Sequence, residues 1–153
     1  MKKLMHLFMA LAVLTAISCT KEGPAGKDGN ANVYYSDWQD AGTWSGVASA
    51  FYVDRAESKI TQATLDSSLV LAYTKLTADG TNVRSLPANT SGVLWNYVLT
   101  VGNIRFTSTL SSSPATNNKF RYIIVPASKH LRLAKPYSKM TYEEICTTFN
   151  IPQ

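Results

Sequence analysis

The clearest pattern of hydrophobic and polar positions runs from 93 to 110. Val93, Trp95, Tyr97, Leu99 and Val101 alternate with Leu94, Asn96, Val98 and Thr100; then Ile104, Phe106, Ser108 and Leu110 alternate with Arg105, Thr107 and Thr109. A period of two sends successive side chains to opposite faces of a strand, so the pattern predicts two strands. Gly102-Asn103 predicts a two-residue hairpin turn between them. That turn pairs Val101 with Ile104, Leu99 with Phe106, Tyr97 with Ser108 and Trp95 with Leu110, a mostly apolar face. The opposite face pairs Thr100 with Arg105, Val98 with Thr107 and Asn96 with Thr109. One side is expected to cover a core and the other to meet water.

Shorter segments with strand character lie at 32–36, 50–54, 68–76, 83–86 and 120–125. Asp79-Gly80 is a favoured hairpin dipeptide and predicts a turn joining the third and fourth of these. Leu69 to Tyr73 is apolar without alternation, as expected of a strand covered on both faces. The stretch 60–67 predicts a helical turn leading into it. About seven short strands separated by turn signals predict a mainly β domain, an antiparallel β-sandwich or partly closed barrel.

The chain closes with a different period. Thr141 and Glu144 have the spacing of a capping box, and Tyr142, Ile145, Cys146 and Phe149 recur at i, i+3, i+4 and i+7. Together they predict a short C-terminal helix with one apolar stripe that ends before Pro152. Cys146 sits on that stripe and reads as a small buried hydrophobe.

The first residues carry an address. Met1-Lys2-Lys3 is followed by thirteen nearly all apolar residues, Leu4 to Ala16. As a helix they would measure about 20 Å, short of a hydrocarbon core of about 30 Å. That length suits a secretory leader. Ala16-Ile17-Ser18-Cys19 then resembles the lipobox of bacterial lipoproteins, in which the cysteine thiol receives a diacylglycerol and the leader is cut before it. More than one acyl chain is needed for lasting membrane attachment. The expected organisation is a signal peptide over 1–18, a lipidated tether over 19–31 and a globular domain over 32–153. With Cys19 acylated, Cys146 is left without a disulfide partner.

Gly23, Gly26 and Gly29 recur every third residue, with Pro24 in the X place, which is the collagen pattern. Three triplets are too few to hold three chains together unaided. The segment is therefore expected to act as a soluble spacer, with a trimer as a minor possibility and the oligomeric state otherwise open. Lys21-Glu22 resembles the charged export tags of Bacteroidota lipoproteins.

Taken in order, the lipobox, the run from Gly23 to Trp38, Ile60-Thr61-Gln62, the segment 120–126 and the terminal 140–152 resemble a group of small Bacteroidota lipoproteins often labelled collagen-like. The group has no established activity. The resemblance implies a place in the bacterial cell envelope, in the outer membrane on its periplasmic or surface side, together with a β domain. It supplies no site.

Charge narrows the picture a little. The formal net charge is +5, and from Cys19 onward there are 13 basic and 10 acidic residues. The halves differ: 80–153 holds 8 basic and 2 acidic side chains. Either a basic face meets an anionic partner, or Arg84, Arg105, Lys119, Arg121, Lys129, Arg132, Lys135 and Lys139 scatter over strand faces and loops.

Reactive chemistry is thin. His6 belongs to the leader, leaving His130, in an expected loop beside Lys129, as the only imidazole for a nucleophile to use. No zinc ligand set, phosphate-cradling glycine loop or other cofactor signature is present. Asp37 and Asp40 flank Trp38, and Asp54 and Glu57 flank Arg55. Such carboxylates serve glycoside hydrolysis when they converge, but Asp is equally a turn residue. Trp38 and Trp44, with Asp37 and Asp40 beside them, are the candidate ligand contacts, because flat rings stack on sugars; the same rings also fill small cores. No catalytic residue, metal or cofactor is expected. The expected function is a membrane-anchored, non-catalytic binding or structural module. Its expected partners are a membrane through Cys19 and a polysaccharide or surface protein, without nucleic acid. The alternative is a small carboxylate-dependent hydrolase acting on surface polysaccharide through residues such as Asp37 and Asp54.

Overall fold

The computed structural model describes residues 32–130 and 135–153. The expected leader over 1–18, Cys19, the glycine triplets and Arg132 lie outside the described residues, as do the side chains of Lys129 and His130. In chain order the strands are β1 (Tyr34–Tyr35), β2 (Gln39–Asp40), β3 (Ser45–Val47), β4 (Ala50–Ala56), β5 (Leu69–Lys75), β6 (Arg84–Ser85), β7 (Ala88–Thr90), β8 (Val93–Thr100), β9 (Asn103–Ser108) and β10 (Lys119–Val125). The helices are α1 (Gln62–Ser67), the single turn α2 (Ala127–His130) and α3 (Tyr142–Phe149).

The strands form two separate antiparallel sheets rather than a closed barrel. One has the order β1-β10-β5-β6, with β2 also pairing β10; the other has the order β3-β4-β9-β8-β7. Val70, Ala72, Phe120, Tyr122 and Ile124 of the first sheet meet Val53, Trp95, Ile104 and Phe106 of the second in one buried cluster. Phe106 and Phe120 stack across the gap with ring centres 4.3 Å apart. This is a β-sandwich.

The outer face of the first sheet is covered too. Helix α3 lays Tyr142, Ile145, Cys146 and Phe149 over Tyr73, Ile123 and Val125 in a second cluster. That explains why β10 is buried from Phe120 to Val125 and why β5 reads as a continuous apolar run. The capping box at Thr141 and Glu144 forms as its spacing requires, and Asn150 ends the helix in the left-handed conformation. Helix α1 is likewise capped by Thr61. The second sheet keeps a wet outer face, on which Leu94 and Val98 are exposed.

Four expectations are corrected. The hairpin of β8 and β9 turns on Val101-Gly102, so Leu99 pairs with Ile104, Tyr97 with Phe106 and Trp95 with Ser108. The shift is by two residues, which preserves the faces. Its cause is Gly102, which at φ 78° fits the third place of the turn, donates its amide to the Ile60 carbonyl at 2.7 Å and accepts the Glu57 amide at 2.8 Å. Second, Asp79-Gly80 does join paired strands, but through a longer loop containing a 3-10 turn over Thr77–Asp79. Third, Lys129 and His130 fall in α2 instead of a loop.

The fourth correction concerns Arg121, which is not a surface cation but is 2% exposed. Its Nε donates to the Ser36 carbonyl at 2.9 Å and its Nη1 to the Pro152 carbonyl at 2.6 Å and to the Tyr142 hydroxyl. Lys119 and Lys135 do keep their side chains at the surface, where Lys119 meets Asp40 and Lys135 meets Glu144.

Candidate functional site

The four residues singled out as ligand contacts do not converge. Trp44 is in the core at 8% exposure, with its Nε1 donating to the Ala115 carbonyl at 3.3 Å and its ring against Trp95 and Phe120. Trp38 lies on the other side of the first sheet, half-buried under α3, with Tyr142 at 5.7 Å and the Lys75 ammonium 4.3 Å over its ring. Its Nε1 is buried without a hydrogen-bond partner. Asp37 is exposed between β1 and β2, and Asp40 is exposed with its carboxylate on Lys119 at 2.7 Å. A sheet thus separates the two rings, and no shared stacking platform arises.

The carboxylates of the hydrolase alternative are also apart in role. Asp54 is held on the outer face of the second sheet by Arg105, at 2.8 and 2.7 Å, and by Asn103 at 3.0 Å. Those hydrogen bonds, and the Arg105 charge, lower its pKa. A carboxylate so engaged is a poor nucleophile or base, and Asp37 lies in the β1–β2 connection, beside the other sheet. Glu57 is buried, accepting hydrogen bonds from the Tyr122 hydroxyl and the Lys59 amide. Among the described residues no three His, Cys, Asp or Glu side chains gather as a metal site.

What the fold does build is a recess at one end of the sandwich, about 580 Å³ in volume. Three connections meet there. The end of β5 and the following 3-10 turn bring Leu76, Thr77, Ala78 and Asp79; the β7–β8 hairpin brings Thr90, Ser91, Val93 and Trp95; the β9–β10 connection brings Leu110, Ala115 and Asn118. Trp95 is 4% exposed and is backed by Trp44, whose ring meets it edge-on at 6.1 Å. A volume of this order falls within the usual range of about 300–1,000 Å³ for small-molecule sites.

The polar side chains of the wall are largely bonded to one another. Trp95 Nε1 donates to Thr90 Oγ1 at 2.9 Å, and the Thr77 amide and hydroxyl meet Asn118 Oδ1 at 2.9 and 3.0 Å. Asp79 is paired with Arg84, whose hydrogen bond and charge keep its carboxyl below the ordinary range. The remaining surface is mainly the hydrocarbon of Leu76, Val93 and Leu110 with the Trp95 ring.

Trp95, Val93 and Leu110 were legible as one apolar strand face and Asp79 as a turn residue, but nothing in the sequence showed that they would meet in a recess. Asn89, whose Oδ1 accepts the Gly92 amide at 3.0 Å, was the available signal for the β7–β8 turn. Compared with known protein families, with curated proteins and with solved structures, the chain matches none.

Proposed function

We propose that the protein is an exported, lipid-anchored, non-catalytic binding module of the bacterial cell envelope that takes its ligand in the recess between the sheets. The observation that carries the binding reading is the recess itself, based on Trp95 and lined mainly by hydrocarbon, with its polar side chains largely engaged already. Such a wall offers shape and apolar surface; it offers no poised nucleophile or base. The anchoring reading rests on Ala16-Ile17-Ser18-Cys19 at the end of a leader-length apolar run.

Each half has its own experiment. Cells fed labelled palmitate should label the wild-type chain and not Cys19→Ala; label on the variant defeats the anchor. Purified protein lacking Cys19 should retain a ligand from glycan, matrix-protein and lipid panels without converting it. Turnover of a polysaccharide, abolished by Asp54→Asn, would establish the hydrolase in its place.

A further inference from the structure

We infer that the recess receives a single acyl chain of a lipid drawn from the membrane beside which the domain is tethered. The inference deepens the binding reading and names its ligand class. The wall chemistry comes first. Trp95 Nε1 is taken by Thr90, Thr77 by Asn118, and Asp79 by Arg84. These bonds occupy much of the wall's polar capacity and leave a sugar or an ion few groups to meet, whereas the lining is mainly apolar. A hydrocarbon chain breaks none of these bonds. It exchanges water for contact with Leu76, Val93, Leu110 and the Trp95 ring, all of which line the recess.

Reach supports the source. The thirteen residues 19–31 span at most about 45 Å when fully extended. An acylated Cys19 therefore keeps the domain within that distance of the bilayer, where acyl chains are the abundant apolar ligand. The wall presents no unpaired cation to select a headgroup, so binding should follow chain length and ignore the head.

The test uses the full chain carrying Cys19→Ala, which bears no lipid of its own. Tryptophan fluorescence is titrated with octanol, decanol, dodecanol, dodecanoate, dodecanoyl lysophosphatidylethanolamine and the free headgroup glycerophosphoethanolamine. Affinity should rise about three- to fourfold per methylene and then level off as the recess fills. Dodecanol, dodecanoate and the lysolipid should bind alike, and the free headgroup should not bind. Ala115→Trp and Ala78→Trp replace exposed rim residues on two of the three connections and should weaken dodecanol binding at least tenfold. Far-UV circular dichroism of both variants should stay unchanged, keeping blocked binding distinct from unfolding.

Three results overturn the inference: no saturable binding of any chain, binding that survives both rim substitutions, or preference for the free headgroup. These outcomes are separate from the fate of the anchor. Loss of palmitate labelling with chain binding intact would remove the membrane as source and reject the inference in that form. Labelling with no chain binding would reject the recess as an acyl site while leaving the anchor standing.

Discussion

Arg121, in the middle of the sheet, donates to the carbonyl of Pro152, the penultimate residue of the chain, at 2.6 Å. The same guanidinium donates to the Ser36 carbonyl and lies 5.2 Å from the Tyr35 ring, so one side chain ties the first strand and the last residues to β10. Its buried charge is met by carbonyl dipoles and aromatic faces. Arg121→Met keeps most of the volume but leaves these carbonyls unsatisfied. Unfolding by urea should show a loss of about 1–3 kcal/mol for each carbonyl stranded. A variant as stable as the wild type would mean that the tie contributes nothing.

Glu57 gives the fold a pH dependence. Burial by itself raises its pKa, but hydrogen bonds from Tyr122, the Lys59 amide and Tyr34 outweigh that and leave it lowered. A carboxyl whose folded pKa is depressed contributes stability that is complete above its unfolded value and is lost as pH falls through the folded value. The contribution should therefore be full at neutral pH and fade below about pH 4.5. Asp54, Asp79 and Glu144 are lowered as well and add to the same acid limb. Glu57→Gln should lower neutral stability and flatten the acid limb of the unfolding midpoint plotted against pH. An unchanged slope would show that the acid sensitivity resides elsewhere.

Local features were legible in the sequence; features decided by distant partners were not. The α3 capping box needs only Thr141 and Glu144, three residues apart, and it forms as read. The face of each strand in the 93–110 hairpin likewise follows from alternation. Its register does not, because the turn is fixed by Ile60 and Glu57, which reach Gly102 from another part of the chain. Trp38 and Trp44 are similar in composition and neighbourhood. Which one enters the core depends on the side of the first sheet from which each approaches. Arg121 reads as a surface cation because nothing near it in sequence shows that Ser36 and Pro152 will bring it acceptors. The recess was hidden for the same reason: its walls come from three connections.

Two glycines should respond very differently to a methyl group. A Cβ at Gly102 would meet nothing within 4 Å, so Gly102→Ala faces only the cost of φ 78°, about 1–2 kcal/mol. At Gly46, φ is 102° and a Cβ would lie 2.2 Å from the Ala50 carbonyl oxygen. That backbone belongs to the paired β4, so Gly46→Ala must separate β3 from β4 at this point. Thermal melts should show a modest drop for Gly102→Ala and a larger one for Gly46→Ala. The reverse order would argue against the tight β3–β4 turn.

Cys146 is 1% exposed on the inner stripe of α3, and burial raises its thiol pKa. Reactivity belongs to the thiolate, so the folded protein suppresses it twice: little thiolate forms, and reagent has no path to it. In a preparation carrying Cys19→Ala, a thiol-specific chromophore should label native protein slowly and denatured protein at once, with one equivalent per chain. The native rate should rise with urea in step with unfolding, since access requires α3 to leave Tyr73, Ile123 and Val125. Rapid labelling in native buffer would mean that α3 detaches readily from the sheet. Arg121→Met would then be expected to label faster still, because it loosens the tail that follows the helix.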